Sequence, residues 1–146
     1  MTSLYEQDFY SWALQQAQLL KMGQFTQLDI NHLIAELESM SATEKRELIS
    51  RLEILLMHLL KWKFQPVFQN RSWRLTIKEQ RLQLDDHLQD NPSLKNPEIL
   101  QVIITKAYRR ALVKAETETG LDGKVFPQTC PYSLAQIMDM DFYPNE

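Results

Sequence analysis

Three histidines and one cysteine are the side chains here best suited to metal binding, proton transfer or nucleophilic attack. Asp29, His32 and Glu36 stand at i, i+3 and i+7, which aligns them along one edge of a helix and could give a divalent ion two or three ligands. His58 is the imidazole from elsewhere in the chain that could complete such a centre. Neither Glu-x-x-His nor His-Glu-x-x-His occurs, and Asp29 equally suits the cap of a helix. Asp85, Asp86 and His87 are consecutive, so on a helix they point in different directions and do not share an ion unaided.

Nucleophile chemistry has weaker support. Cys130 lies between Thr129 and Pro131 with no histidine near it in sequence, and no Gly-x-Ser-x-Gly elbow is present. Phosphate-cradling loops need glycine, and the chain has only three, in no nucleotide-binding pattern. Glu36/Glu38 and Glu116/Glu118 are two residues apart and diverge on a helix. No catalytic residue and no cofactor is expected.

His58 sits inside LEILLMHLLKWKFQP. With Leu52 at zero, Leu48, Ile49, Leu55, Leu56, Leu59 and Trp62 fall within an arc of roughly 140° on a helix. His58 lies roughly 40° outside it, beside Trp62 and Arg51. It borders the core and is expected to bond a backbone carbonyl or a neighbouring side chain.

Charge is unevenly distributed. Residues 1–60 carry 4 Lys/Arg against 8 Asp/Glu, residues 61–81 carry 6 against 1, and residues 82–146 carry 6 against 10. The basic stretch contains Lys61, Lys63, Arg71, Arg74, Lys78 and Arg81, interleaved with Trp62 and Trp73. Such a surface could hold nucleic acid, by charge on phosphates and stacking on bases. Arg74 and Arg81, however, touch the apolar stripe of their helix, as Glu36 does on its own. A structural bridge from Glu36 or Glu38 to Arg74 or Arg81 is the competing expectation.

The elements that must position these groups are helical. Leu, Gln, Glu and Lys are frequent, and no stretch alternates as a strand does. Ser3 and Glu6 form a capping box for a first helix carrying Phe9, Trp12, Ala13, Leu19 and Leu20, and Gly23 stops it. Asp29 opens a second, whose Ile30, Leu33, Ile34, Leu37 and Met40 make a core-facing stripe. Ser41 and Glu44 cap a third over about 42–64, ended by Pro66. Ser72 caps a fourth over about 73–90, with Trp73, Ile77, Leu84 and Leu88 on one face. A fifth runs from Pro97 to Thr119, where Gly120 ends it, and Ala107, Ala111 and Ala115 give it a smooth edge. The remainder, including Val125, Phe126, Tyr132, Leu134, Ile137, Met138, Met140, Phe142 and Tyr143, is too apolar for a free tail and should wrap the bundle.

The segments LYEQDFYSWALQQAQLLKMGQFTQLDINHLIAELESM, HLLKW, RSWRLTI–EQR and FPQTCPYSLAQIMDMDF give the chain a resemblance over nearly its whole length. It resembles domain-of-unknown-function family twenty-nine, abundant in cyanobacteria. The resemblance implies a small, cytoplasmic, helical protein and brings no activity or catalytic residue.

The expected fold is all-α, one domain over residues 1–146 with about five principal helices and a wrapping tail. With a lone cysteine no internal disulfide forms, nothing in MTSLYEQDFYSW marks export, and no apolar run spans a bilayer. The leading expectation is a non-catalytic module that binds an unknown protein partner or a second copy. Its apolar contacts would be Phe64, Val67, Phe68 and the tail residues Met138, Met140, Phe142 and Tyr143, while Lys61, Lys63, Arg71 and Lys78 are the binding-surface cations of the basic stretch. Nucleic-acid binding through residues 61–81 is the alternative, and a metal-dependent enzyme using His32 and Glu36 the second.

Overall fold

The computed structural model describes residues 3–145, and among them every regular element is a helix. The α-helices are α1 (Leu4–Gln7), α2 (Phe9–Lys21), α3 (Ile30–Phe64), α4 (Arg71–Asp90), α5 (Pro97–Thr119) and α6 (Leu134–Met138). The protein is all-α, the class its composition favours, and among the described residues four of these helices are long where five principal ones were expected. The chain divides into two compact units, Met1–Thr43 and Glu44–Glu146, and the division falls inside α3.

The expected break at Ser41/Glu44 is the principal correction. Residues 41–44 read SATE, without glycine or proline, so each costs the helix well under about 1 kcal/mol, and continuation competes successfully with capping. The Thr43 hydroxyl donates to the Ser39 carbonyl four residues back, the satisfaction expected of threonine inside a helix. Two cap positions also differ. Asp8 interrupts the first helix, accepting from the Ser11 N–H and starting α2, while Asn70 rather than Ser72 caps α4 by accepting from the Trp73 N–H at 2.8 Å. Asparagine and serine are equally good caps, and Asn70 comes first.

Gly23 ends α2 with φ +71, its N–H donating to the Leu20 carbonyl while Gln24 N–H reaches Leu19. That paired closure needs a left-handed residue, which glycine supplies without a Cβ penalty. Gly120 (φ +73) ends α5 as its position suggested.

In the second unit the leucine-rich half of α3 is the core. Leu48, Leu52, Leu55, Leu56, Leu59 and Leu60 are buried against Ile77 and Leu84 of α4 and Leu100, Ile103 and Ala107 of α5. Each fully buried leucine contributes about 1.5–3 kcal/mol relative to exposure. Ala107, Ala111 and Ala115 are all buried. The tail contributes Phe126 and Ile137 to the core and packs Tyr132, Met138 and Tyr143 against it.

The first unit is built differently. Among its described residues only Trp12 and Gln16 are buried. Ile30, Ile34, Leu37 and Met40, expected to face a core, are exposed, as are Phe9, Tyr10, Leu14 and Leu20.

Candidate functional site

In the first unit a polar cluster is organised around Asp29. Its carboxylate accepts from Trp12 Nε1 at 3.0 Å and lies 2.7 Å from His32 Nδ1, and its N–H donates to Gln16 Oε1 at 2.8 Å. The bond from His32, with further help from Trp12, holds the Asp29 carboxyl below the usual range despite partial desolvation. Because Asp29 is ionised, His32 Nδ1 is the donor, which leaves Nε2 as the basic nitrogen of the neutral ring. Tyr5 stacks on that ring, with centroids 3.9 Å apart and planes 15° from parallel. Its hydroxyl donates to Glu36, a bond that, ahead of burial, raises the Tyr5 hydroxyl above its ordinary value.

Of the expected ligand set, Asp29 and His32 therefore meet, while Glu36 is engaged by Tyr5. His58 belongs to the second unit, half-buried, with Nδ1 2.8 Å from the Ile54 carbonyl, and burial lowers its pKa below 6.5. Asp29 and His32 are paired as the carboxylate and imidazole of a nucleophile triad are, but among the described residues no hydroxyl or thiol is hydrogen-bonded to His32. Cys130, in the second unit, borders a cleft with Tyr108, Arg109 and Gln128 whose lining contains no imidazole or carboxylate. Burial raises its thiol pKa, the opposite of nucleophile activation.

Two cations of the basic stretch, Lys61 and Arg81, are buried within the fold. Lys61, expected at the surface, is 8% exposed, with Nζ 3.2 Å from Glu118 Oε1 and 4.5 Å above the Trp73 ring. A lysine at a core edge buries its methylene stem and keeps its ammonium paired, which the periodicity of one helix cannot foresee. Arg74 stacks over Tyr143 at 4.4 Å and Trp62 at 5.1 Å.

Arg81 is 1% exposed and donates from Nε to the Ile137 carbonyl at 2.7 Å and from Nη2 to the Gln136 carbonyl at 3.2 Å. Its Nη1 has no partner. Within the second unit, then, Arg74 meets aromatic faces and Arg81 meets carbonyls at the end of α6, where the sequence suggested a bridge to Glu36 or Glu38. Glu38 is exposed. Phe64, expected as a free apolar contact, packs edge-on against Phe126 at 5.1 Å. Lys63, Val67, Phe68, Arg71, Arg74 and Lys78 are exposed.

One cluster escapes sequence reasoning. Glu44 and Glu47 on α3 converge with His87 on α4, so that one ligand atom from each lies within 4.8 Å of the others. The i, i+3 spacing of the two glutamates was visible. Glu44, however, reads as a capping residue, and His87 reads as one of three divergent neighbours; their meeting depends on how two helices pack.

No helix among the described residues is long and apolar enough to cross a membrane. The family model described as a domain of unknown function, DUF29, matches residues 4–143. No curated protein and no solved structure matches the chain. With nearly its whole length matched, the chain belongs to the DUF29 family.

Proposed function

We propose that the protein is a non-catalytic, cytoplasmic helical interaction module that pairs with a second copy of itself. The observation that carries this reading is the exposed apolar face of the N-terminal unit. Ile30, Ile34, Leu37 and Met40 are large apolar side chains facing solvent in a unit that buries only Trp12 and Gln16 among its described residues. Contiguous exposed apolar surface marks an interaction site far more often than scattered leucines do.

Charge and spacing favour a second copy as the occupant. The unit Met1–Thr43 holds Lys21 against Glu6, Asp8, Asp29, Glu36 and Glu38, a net of −4. On α4 the exposed residues Arg71, Leu75, Lys78 and Leu82 stand at 4-3-4 spacing along one edge, with Lys63, Val67 and Phe68 exposed before them. Residues 30, 34, 37 and 41 repeat that spacing on the acidic side. Two helix edges with matched spacing, one acidic and apolar, the other basic and apolar, complement each other as coiled-coil seams do. Pairing the acidic unit of one copy with the basic edge of the other satisfies both.

The nucleic-acid reading has less support, because Lys61 and Arg81 are buried and paired within the fold and Arg74, one of four exposed cations, lies over two aromatic rings. A metal-dependent enzyme at His32 and Glu36 has less support, since His32 Nδ1 is taken by Asp29 and one Glu36 oxygen accepts from Tyr5.

Sedimentation of the triple variant Lys63→Glu, Arg71→Glu, Lys78→Glu tests the pairing. It should dimerise at least about tenfold more weakly than wild type, and wild-type dimerisation should itself weaken with salt as exposed charges are screened. Dimerisation unchanged by the triple reversal and by 0.5 M salt (roughly a 4 Å screening length) would refute the charge pairing.

A further inference from the structure

We propose that Glu44, Glu47 and His87 form a binding site for a divalent ion of the zinc class. The geometry begins with a tautomer. His87 Nε2 lies 2.9 Å from the Glu44 backbone carbonyl. A carbonyl only accepts, so Nε2 carries the proton and Nδ1 holds the lone pair of the neutral ring. Nδ1 faces Glu47 Oε2 at 3.7 Å, too far for a hydrogen bond. With the ring neutral, a lone pair directed at a carboxylate oxygen is repulsive unless a cation, either a proton or a metal ion, lies between them.

The fit to a metal ion is close. Bonds of about 2.0–2.1 Å at a tetrahedral angle separate two ligand atoms by roughly 3.4 Å, so Nδ1 and Oε2 need to approach by only a few tenths of an ångström. The Glu44 carboxylate now lies on the protonated side of the ring, 3.5 Å from Nε2; as part of the 4.8 Å cluster it would become the third ligand only by swinging its side chain toward Nδ1. Both glutamate side chains are partly exposed, at 44% and 42%, and each keeps one oxygen outside the bonds from Asn91 and Arg51.

A second observation stands apart from the carboxylates. His87 is 8% exposed, and its proton donation to a main-chain carbonyl is the outer-shell bond that orients metal-ligating histidines. Asn91 Nδ2, 3.4 Å from Glu44 Oε2, and Arg51, which donates to Glu47 Oε1 at 2.8 Å, would form the rest of that shell. Arg51 occupies one oxygen of Glu47 and leaves Oε2 to the ion, while opposing the ion by its own charge.

One imidazole nitrogen with two carboxylate oxygens favours zinc-class ions over calcium or magnesium, which take oxygen alone.

The test uses the full chain, without an affinity tag and stripped by a chelator, titrated with Zn²⁺ by calorimetry and with Co²⁺ by visible absorption. One ion should bind per chain. His87→Gln should abolish binding, and Glu47→Gln, at a partly exposed position that leaves folding intact, should weaken it at least about tenfold. Arg51→Gln should tighten it. His32→Gln and His58→Gln should leave it unchanged. No saturable uptake, uptake that persists in both His87→Gln and Glu47→Gln, or uptake lost with His32→Gln would overturn the proposal.

Discussion

Replacing Arg81 with leucine removes the buried cation that ties the C-terminal segment to α4. The wild-type guanidinium donates to two carbonyls, at 2.7 and 3.2 Å, and hydrogen bonds from a charged group contribute about 1.5–3 kcal/mol each. The gross loss is therefore about 3–6 kcal/mol. Against it stands the relief of a desolvated guanidinium whose Nη1 is unpartnered, roughly 1–3 kcal/mol. The net expectation is destabilisation by about 3 kcal/mol, or a fall in Tm of roughly 6–12 °C for a chain of this size. Arg81→Lys should recover only part of this, because an ammonium lacks the planar fork that reaches both carbonyls. Urea unfolding followed by the fluorescence of Trp62 and Trp73 gives the stability. Chymotrypsin cleavage near Phe126 and Tyr132 should accelerate as the tail loosens. An Arg81→Leu protein that unfolds at the wild-type midpoint and resists chymotrypsin equally would refute the idea that this guanidinium anchors the tail.

Other expectations are smaller or more local. Leu59→Ala, in the core of the second unit, should cost about 2–5 kcal/mol in urea unfolding, whereas Ile34→Ala on the exposed face should fall within about 0.5 kcal/mol at concentrations where the chain is monomeric. His58 is shifted below 6.5 by burial, so as pH falls through 6.5 the unfolded chain takes up a proton before the folded one. Stability should then drop until the folded imidazole also titrates, and NMR titration of His58 with a midpoint above 6.5 would contradict this. Asp29 is shifted down, so its contribution is fully present above its ordinary 3.8 and disappears as pH falls through the lower folded value. Acid titration of Trp12 fluorescence should therefore show a transition below pH 3.8 that Asp29→Asn lacks. Cys130, with its pKa raised by burial, should react with a thiol reagent more slowly at pH 8 than a free cysteine does.

Where local chemistry decides, the sequence was readable. Pro97 and Gly120 bound α5 because one lacks an N–H the helix does not need there and the other accepts a left-handed φ. Leu52, Leu55, Leu56 and Leu59 point into one core because their spacing leaves no other face. Ser41 and Glu44 misled because a capping signal is conditional: it acts only where the preceding residues are leaving the helix, and SATE gives them no reason to. The Ile30–Met40 stripe misled in another way, since apolar periodicity identifies a face without identifying what covers it.

The polar partners were the least legible part. Arg81 touches the apolar stripe as expected, but its acceptors are main-chain carbonyls more than fifty residues away, which no side-chain pattern encodes. Glu36 meets Tyr5 and His87 meets the Glu44 carbonyl for the same reason. Asp29 and His32, three residues apart on one turn, were the pair that spacing alone could bring together.

The central claim is that the exposed apolar edge of the N-terminal unit is an interface. Sedimentation equilibrium of the wild-type chain from about 1 to 300 µM, beside Ile34→Ser, tests it most directly (stable interfaces have dissociation constants at or below the micromolar range). The expected result is a concentration-dependent shift from monomer to dimer in the wild type, moved to at least about tenfold higher concentration by Ile34→Ser. A wild-type chain that stays monomeric across the range, or a dimer indifferent to Ile34→Ser, would contradict it.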